Sequence, residues 1–235
     1  MSQGSANPAV ATQNSIPVRT VFFGDYAAAD EGSYFAATIG TATASTAVAV
    51  TTQALGTANP HIVIQNTNPA GGYNVYLRTI KLRVTTATTG ITSVNHVGVL
   101  NPNPQAFTTV GTAFSANANV NGASGTTSRI AIYGGVNVCT TVASSSGARI
   151  VHSGPFTSII PIVLDQWQFC FGNGTGGNAW GAVIGTTTSF ISVSCGPVII
   201  PPGWFYTFGL WGPGWAASAP SYLYDIAYIE RPSGQ

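Results

Sequence analysis

The stretch NVYLRTIKLRVTTA, residues 74–87, alternates apolar and polar side chains along much of its length. Such an alternation, with a period of two, is typical of a strand in an antiparallel sheet that has one face in the core and one face in water. The sequence therefore predicts a long, half-buried strand here. Its expected core face carries Tyr76, Ile80, Leu82 and Val84, and its expected outer face carries Leu77, Thr79, Lys81 and Arg83.

Short runs of the same kind occur along most of the chain, separated by clusters of Gly, Asn, Ser and Pro. About a dozen runs with turn signals between them predict an all-β sandwich or barrel, and the lack of crossover helices in the pattern excludes a parallel α/β fold. One helix of one or two turns is expected at 25–32. The remaining predicted strands are 19–23, 33–40, 45–53, 61–67, 93–100, 107–114, 129–135, 148–154, 159–164, 166–172, 189–194, 198–200, 203–212 and 221–231.

The two ends of the chain differ in character. Residues 1–17 are small and polar and carry no ionic side chain, so we expect an extended arm there and a single domain over 18–235. The last predicted strand, 221–231, is apolar on both faces. Such a strand is expected at the centre of a sheet or under another subunit, and its final pair, Glu230 and Arg231, is expected to mark the return of the chain to water.

Charge is scarce throughout. Only 6% of the 235 residues are Asp, Glu, Lys or Arg, and the net charge is +1, whereas roughly a quarter of a typical globular domain is charged. Such a molecule lacks the self-repulsion that keeps proteins apart, which favours a permanent assembly over the alternative of a neutral, Thr-rich monomer. Seven Lys and Arg residues are too few for a nucleic-acid partner. We expect no signal peptide and no membrane span.

The stretch GPVIIPPGWFYTFGLWGPGW, residues 196–215, is rich in aromatic residues and contains no charge. Trp204 and Trp211 lie on opposite faces of one predicted strand, and Trp215 follows in a Gly- and Pro-rich loop. One core therefore cannot accommodate all three side chains. Aromatic residues left on such a loop favour a protein–protein contact. The alternatives are a cap over one end of the sandwich and a platform on which a sugar stacks.

This stretch, followed by APSYLYDIAYIER (219–231), resembles the carboxy-terminal pattern of small jelly-roll structural proteins of tailed bacteriophages. The resemblance covers roughly the last forty residues. It implies an all-β, jelly-roll-type antiparallel β-sandwich with an extended N-terminal arm. It also implies a virion component made in the host cytoplasm, such as a decoration (cement) protein that binds the major capsid protein, usually as a homotrimer. We expect Trp204, Trp211, Trp215 and the arm to make the subunit or capsid contacts.

The main rival is a glycan-binding jelly-roll module of a phage tail or baseplate. In that role Trp180, in the loop GNGTGGNAWG (172–181), would stack on a sugar ring. A plain hairpin tip, with glycines for the turn, explains the same loop.

No pattern in the sequence points to catalysis or to a bound group. There is no GxSxG, HExxH or P-loop motif. His61, His96 and His152 each fall within apolar alternation on different predicted strands, so we interpret them as packed, hydrogen-bonded residues. Cys139, Cys170 and Cys195 show no CxxC spacing, which argues against a disulfide framework and a structural zinc site. We therefore expect no catalytic residue, no cofactor and no metal.

The acids give one local group, Asp25 with Asp30 and Glu31. Its spacing does not match an EF-hand loop, so a solvated turn is favoured over a calcium site. Asp165 and Asp225 could approach each other through the fold, as the paired carboxylates of a glycosidase would.

Overall fold

The computed structural model describes most of the central and C-terminal chain and none of the first 23 residues. The described residues are 24–39, 46–47, 60–86, 94–102, 107–109, 112–113, 115–122, 124–134, 140–141, 147–157, 162–172, 180–182, 189–211 and 221–233.

Short strands dominate these residues, with one short helix, α1 (Gly24–Asp30), where one was predicted. The strands are β1 (Tyr34–Ile39), β2 (Thr46–Ala47), β3 (Ile62–Asn66), β4 (Tyr73–Thr86), β5 (Val94–Asn101), β6 (Phe107–Thr109), β7 (Thr112–Ala113), β8 (Ser115–Asn119), β9 (Ile130–Gly134), β10 (Thr140–Thr141), β11 (Arg149–Thr157), β12 (Gln166–Phe171), β13 (Trp180–Ala182), β14 (Ser189–Cys195), β15 (Ile199–Ile200), β16 (Phe205–Trp211) and β17 (Ser221–Pro232).

The strands form a sandwich of two sheets. A nine-stranded sheet has the order β13-β14-β12-β4-β17-β1-β8, with β15 beside β4 and β2 beside β17. A six-stranded sheet has the order β11-β5-β16-β3-β9-β7, and β6 pairs with β10 separately. The described pairs are antiparallel except β12 with β14, which run parallel. The all-β sandwich predicted from the sequence is confirmed.

The connectivity of eight strands is that of a jelly roll. One sheet contains the order β1-β17-β4-β12 and the other contains β3-β16-β5-β11. In chain order the eight strands alternate between the sheets, except that β5 and β11 are neighbours in the same sheet. This is the winding produced by two Greek keys. Of the extra strands, β2 lies between β1 and β3 in the chain, β6–β10 lie between β5 and β11, and β13–β15 lie between β12 and β16.

The long strand β4 differs from the prediction in one respect. Its pairing with β17 passes from Leu77 opposite Tyr228 to Thr79 opposite Ala227, so Arg78 is the extra residue of a β-bulge. A bulge changes which residues face the core. Leu77 is therefore buried, whereas Tyr76, which was expected in the core, is only partly buried. Beyond the bulge, Ile80, Leu82 and Val84 are buried as predicted.

The final strand, β17, is central, as its two apolar faces predicted. It pairs with β4 on one side and with β1 on the other. The expected return to water at Glu230 is wrong, because this residue is only 4% exposed and lies within the strand. Its carboxylate accepts hydrogen bonds from Ser128 Oγ (2.6 Å) and from the backbone N–H of Arg129 (3.0 Å).

The predicted strand at 159–164 is wrong in its described part. Val163 and Leu164 lie in a turn before β12, and Leu164 has a φ of 77°. Asp165 stabilises this turn, since its Oδ2 accepts a hydrogen bond from Ile162 N at 2.9 Å. The apolar run is therefore a connection that leaves Val163 and Leu164 about half exposed.

Candidate functional site

Of the four tryptophans predicted to bind a partner or a sugar, the structure describes the side chain of Trp204. It is partly buried against the core, and the Arg149 guanidinium carbon lies 5.9 Å from its ring centroid. Trp211 ends β16 and Trp180 begins β13, but their side chains are outside the description. Trp215 and the arm 1–17 also lie outside the described residues. The predicted contact surface stays a prediction.

The most unusual described region is built from two short motifs that face each other on neighbouring strands. His96, Val97 and Gly98 lie on β5, and His152, Ser153 and Gly154 lie on β11. The antiparallel register places Gly98 opposite His152 and Gly154 opposite His96. Each histidine thus lies across from a glycine. The two imidazole rings stack with centroids 5.2 Å apart and planes 29° apart.

The missing side chain at Gly98 creates the space for one of these rings. A Cβ built on Gly98 would lie 2.0 Å from Nε2 of His152, which is far inside van der Waals contact. On the other side of Gly98, β16 places Phe208 in register, with its ring centroid 6.2 Å from that of His152. Gly98 therefore lets an imidazole lie over the sheet between two strands.

The opposite sheet completes the cluster. Phe169 and Phe171 of β12 contact the histidine rings, with centroids 5.2 Å from His96 and 5.5 Å from His152 respectively. Cys195, the last residue of β14, brings its thiol to the same place. One ring nitrogen of each histidine and Cys195 Sγ all lie within 4.8 Å of one another. We call His96, His152, Cys195 and Tyr206 the His–Cys cluster.

One hydrogen bond orients His152 within this cluster. Its Nε2 lies 2.6 Å from the hydroxyl oxygen of Tyr206, a residue of β16 with no exposed surface. The other ring nitrogen, Nδ1, is also buried and has no hydrogen-bond partner among the described residues. Nε2 of His152 is therefore hydrogen-bonded to the Tyr206 phenol, whereas Nδ1 makes no hydrogen bond to the described residues.

Burial keeps the whole cluster uncharged at neutral pH. It lowers the pKa of His96 to about 4 and, together with the neighbouring His96, lowers the pKa of His152 to about 3. It raises the pKa of Cys195 to about 12 and that of Tyr206 well above its usual value. The cluster consequently offers two neutral imidazoles and one protonated thiol in an aromatic pocket.

The third histidine is separate and fits the packed interpretation made from the sequence. His61 is 5% exposed, and its Nδ1 accepts a hydrogen bond from Leu210 N at 2.8 Å. The sequence reading treated the three histidines alike, but the fold brings together only two of them. Repetition of His-x-Gly on two predicted strands, 93–100 and 148–154, is the signal that could have found the pair.

The acidic residues lie in several separate places in the fold. Asp25 forms an ion pair with Arg78 at 2.9 Å, and Glu31 forms one with Arg231 at 3.5 Å. Asp165 is buried in its turn, whereas Asp225 lies on β17 opposite Lys81. Asp225 lines a depression of about 430 Å³ on the nine-stranded sheet, together with Lys81, Arg83, Gln166, Gln168 and Phe190.

Comparisons with known proteins found no matching family model, no matching curated protein and no matching solved structure. Within the described residues, no helix has the length and apolar character needed to cross a membrane.

Proposed function

We propose that this chain is a structural protein of a bacteriophage virion that binds the capsid surface as a decoration protein. It assembles with copies of itself, a homotrimer being the expected state, and it performs no catalysis. Its partner in the particle is the major capsid protein.

The jelly-roll topology is the observation that carries this proposal. Two four-stranded orders, β1-β17-β4-β12 and β3-β16-β5-β11, face each other, and this architecture is widely used for viral coats as well as for lectins and cupins. The step from fold to role is an analogy, because one fold hosts many functions. The resemblance of residues 196–231 to phage jelly-roll proteins supports the virion role among these.

The surface of the described residues supports an assembling subunit. Six large apolar side chains are at least 40% exposed, in a chain with only 6% charged residues. Apolar surface with few charges around it is suited to burial between subunits rather than to repulsion. The exposed residues are Val120, Ile150, Val163, Leu164, Phe190 and Ile199.

The decisive variant is Trp211→Ala combined with Trp215→Ala. If these indoles form the contact, we expect the oligomer to dissociate to monomers and the occupancy of capsids lacking the protein to fall at least about tenfold, as for contact residues worth more than 1.4 kcal/mol. Light scattering after size-exclusion chromatography measures the first effect, and electron cryo-microscopy of incubated capsids measures the second.

Phe190→Ala is the comparison variant, because it removes a 40% exposed aromatic ring outside the 196–215 stretch. It should weaken assembly and occupancy less than the double tryptophan variant does. A wild-type protein that is monomeric and does not bind capsids overturns the proposal. Specific binding on a glycan array that Trp180→Ala abolishes would instead support the tail or baseplate module.

A further inference from the structure

We propose that His96, His152 and Cys195 form a binding site for a zinc ion inside the sandwich. The site is independent of the proposed virion role, since it concerns only the interior of one subunit. It would join β5 and β11 of one sheet to β14 of the other through a single metal centre.

The donor set suits zinc. Imidazole nitrogen and thiolate sulfur are the ligands that this borderline-soft cation prefers, and three protein ligands leave a fourth position for water. Carboxylates, which magnesium and calcium require, are not part of the cluster that the described residues form.

The three donor atoms lie close enough together for one zinc ion to be reached by all of them after small movements. Bond lengths of about 2.0–2.1 Å to nitrogen and 2.3 Å to sulfur place neighbouring ligand atoms about 3.4–3.6 Å apart around zinc. The three donor atoms lie within 4.8 Å of one another. Small side-chain rotations close that difference, and Cys195 at the end of β14, followed by the exposed Gly196, has the freedom to make them.

Tyr206 acts as the positioning residue. Metal-binding histidines usually hold a hydrogen-bond partner on the nitrogen that does not bind the metal, which fixes the ring orientation. The 2.6 Å contact between the Tyr206 hydroxyl and Nε2 of His152 is such an arrangement. It assigns Nδ1 of His152, which lacks a hydrogen-bond partner among the described residues, to the metal.

Binding exchanges a proton for the cation. Zinc bonds to a lone pair on each neutral imidazole and to the sulfur of Cys195, and the thiol proton leaves to solvent. No oxidation or reduction occurs. One proton is therefore released per zinc bound at neutral pH.

The test uses the full-length, metal-stripped protein and Co²⁺ as a spectroscopic substitute for zinc. We expect one cobalt per chain, visible bands of tetrahedral cobalt and a near-ultraviolet thiolate-to-cobalt charge-transfer band. Zinc should displace cobalt without further proton release, whereas zinc added to the metal-free protein should release about one proton, measured by calorimetry in buffers of different ionisation enthalpy. Zinc at a hundred times its Kd should raise Tm by about 5–10 °C.

Two variants assign the thiolate. Cys195→Ser should abolish the charge-transfer band and weaken zinc binding at least about a hundredfold. The double variant Cys139→Ser and Cys170→Ser leaves Cys195 as the sole cysteine and replaces none of the four cluster residues, so it should keep the band even if Cys195→Ser fails to fold. Tyr206→Phe should keep the band and weaken binding by about tenfold or more.

The proposal is overturned if the wild-type protein gives no charge-transfer band, if the band is lost in the double cysteine variant, or if it survives in Cys195→Ser. A release of no protons on binding would also overturn it. None of these outcomes bears on oligomerisation or on capsid binding, so the two proposals fail separately.

Discussion

Two buried polar clusters in this sandwich differ in how far the protein satisfies them. Around Glu230, the carboxylate accepts hydrogen bonds from Ser128 Oγ and Arg129 N, and the Ser128 hydroxyl lies 2.7 Å from the Tyr228 hydroxyl. Around His152, one ring nitrogen meets the Tyr206 hydroxyl, and the other has no hydrogen-bond partner in the described residues.

The difference indicates two roles for buried polar groups. A carboxylate that meets donors from a neighbouring segment fixes that segment, here residues 128–129 beside β17. A buried nitrogen without a hydrogen bond costs free energy that a purely structural core would avoid by an apolar side chain of similar size. By this argument a ligand at the His–Cys cluster would stabilise the fold, whereas the Glu230 carboxylate already meets donors from the chain.

Lowering the pH should give the largest difference between the contributions of the two clusters to stability. The folded-state pKa values of His96 and His152, about 4 and 3, lie below the unfolded value of 6.5, so below pH 6.5 the unfolded chain binds more protons and the protein loses stability as the pH falls. Each of these two histidines should lower the free energy of unfolding by about 2 kcal/mol at pH 5 relative to pH 7.5. Urea unfolding of the chelator-treated protein from pH 7.5 to 5 measures this loss.

The slope of that profile identifies its source. His61, with a pKa lowered by burial to about 3, contributes in the same direction, whereas burial raises the pKa of Glu230, which contributes in the opposite direction. Replacing both cluster histidines by Gln should reduce the slope between pH 5 and 6 by about two protons relative to wild type. An unchanged slope would show that the cluster is already charged in the folded protein.

Removing the carboxylate at Glu230 should have the next largest effect. Glu230→Ala leaves Ser128 Oγ and Arg129 N without the acceptor that they now share, and we expect a loss of about 3 kcal/mol in the free energy of unfolding. Glu31→Ala is the matched control. Its carboxylate is 62% exposed and 3.5 Å from Arg231, so its removal should change stability by less than about 0.5 kcal/mol. Equal losses in the free energy of unfolding for the two variants would contradict the conclusion that the hydrogen bonds of Glu230 stabilise the fold.

The sequence predicted the fold better than it predicted either cluster. Alternation places residues on faces of one strand, so the all-β sandwich and the central position of β17 could be inferred locally. The bulge at Arg78 could not, because nothing in 74–87 marks an extra residue. Glu230 was expected in water because its partners, Ser128 and Arg129, lie a hundred residues away in the chain.

The His–Cys cluster was missed for a related reason. Each histidine, taken alone, has the pattern of a packed residue, and the site exists only through the register of β5 with β11. Cysteine spacing excluded a local zinc motif, but it carries no information about ligands supplied by three separate strands. The repeated His-x-Gly motif was visible in the sequence, and its meaning depended on a strand pairing that the sequence does not specify.

Apart from the control variants, Gly98→Ala should have the smallest effect on stability, and it tests the register most directly. The new Cβ would lie 2.0 Å from His152 Nε2, so the ring must move, at a cost of about 2 kcal/mol. Gly125→Ala, where nothing lies within 4 Å of the added Cβ, is the control and should cost less than about 0.5 kcal/mol.

Combined with His152→Ala, the Gly98→Ala change should add almost nothing, because the atom that it meets is gone and the two costs are coupled. Additive costs in that double-mutant cycle would mean that His152 does not lie over Gly98. The placement of His152, with Nε2 at the Tyr206 hydroxyl and Nδ1 without a hydrogen bond among the described residues, would then be wrong. The contrast between this cluster and the Glu230 cluster would fail with it.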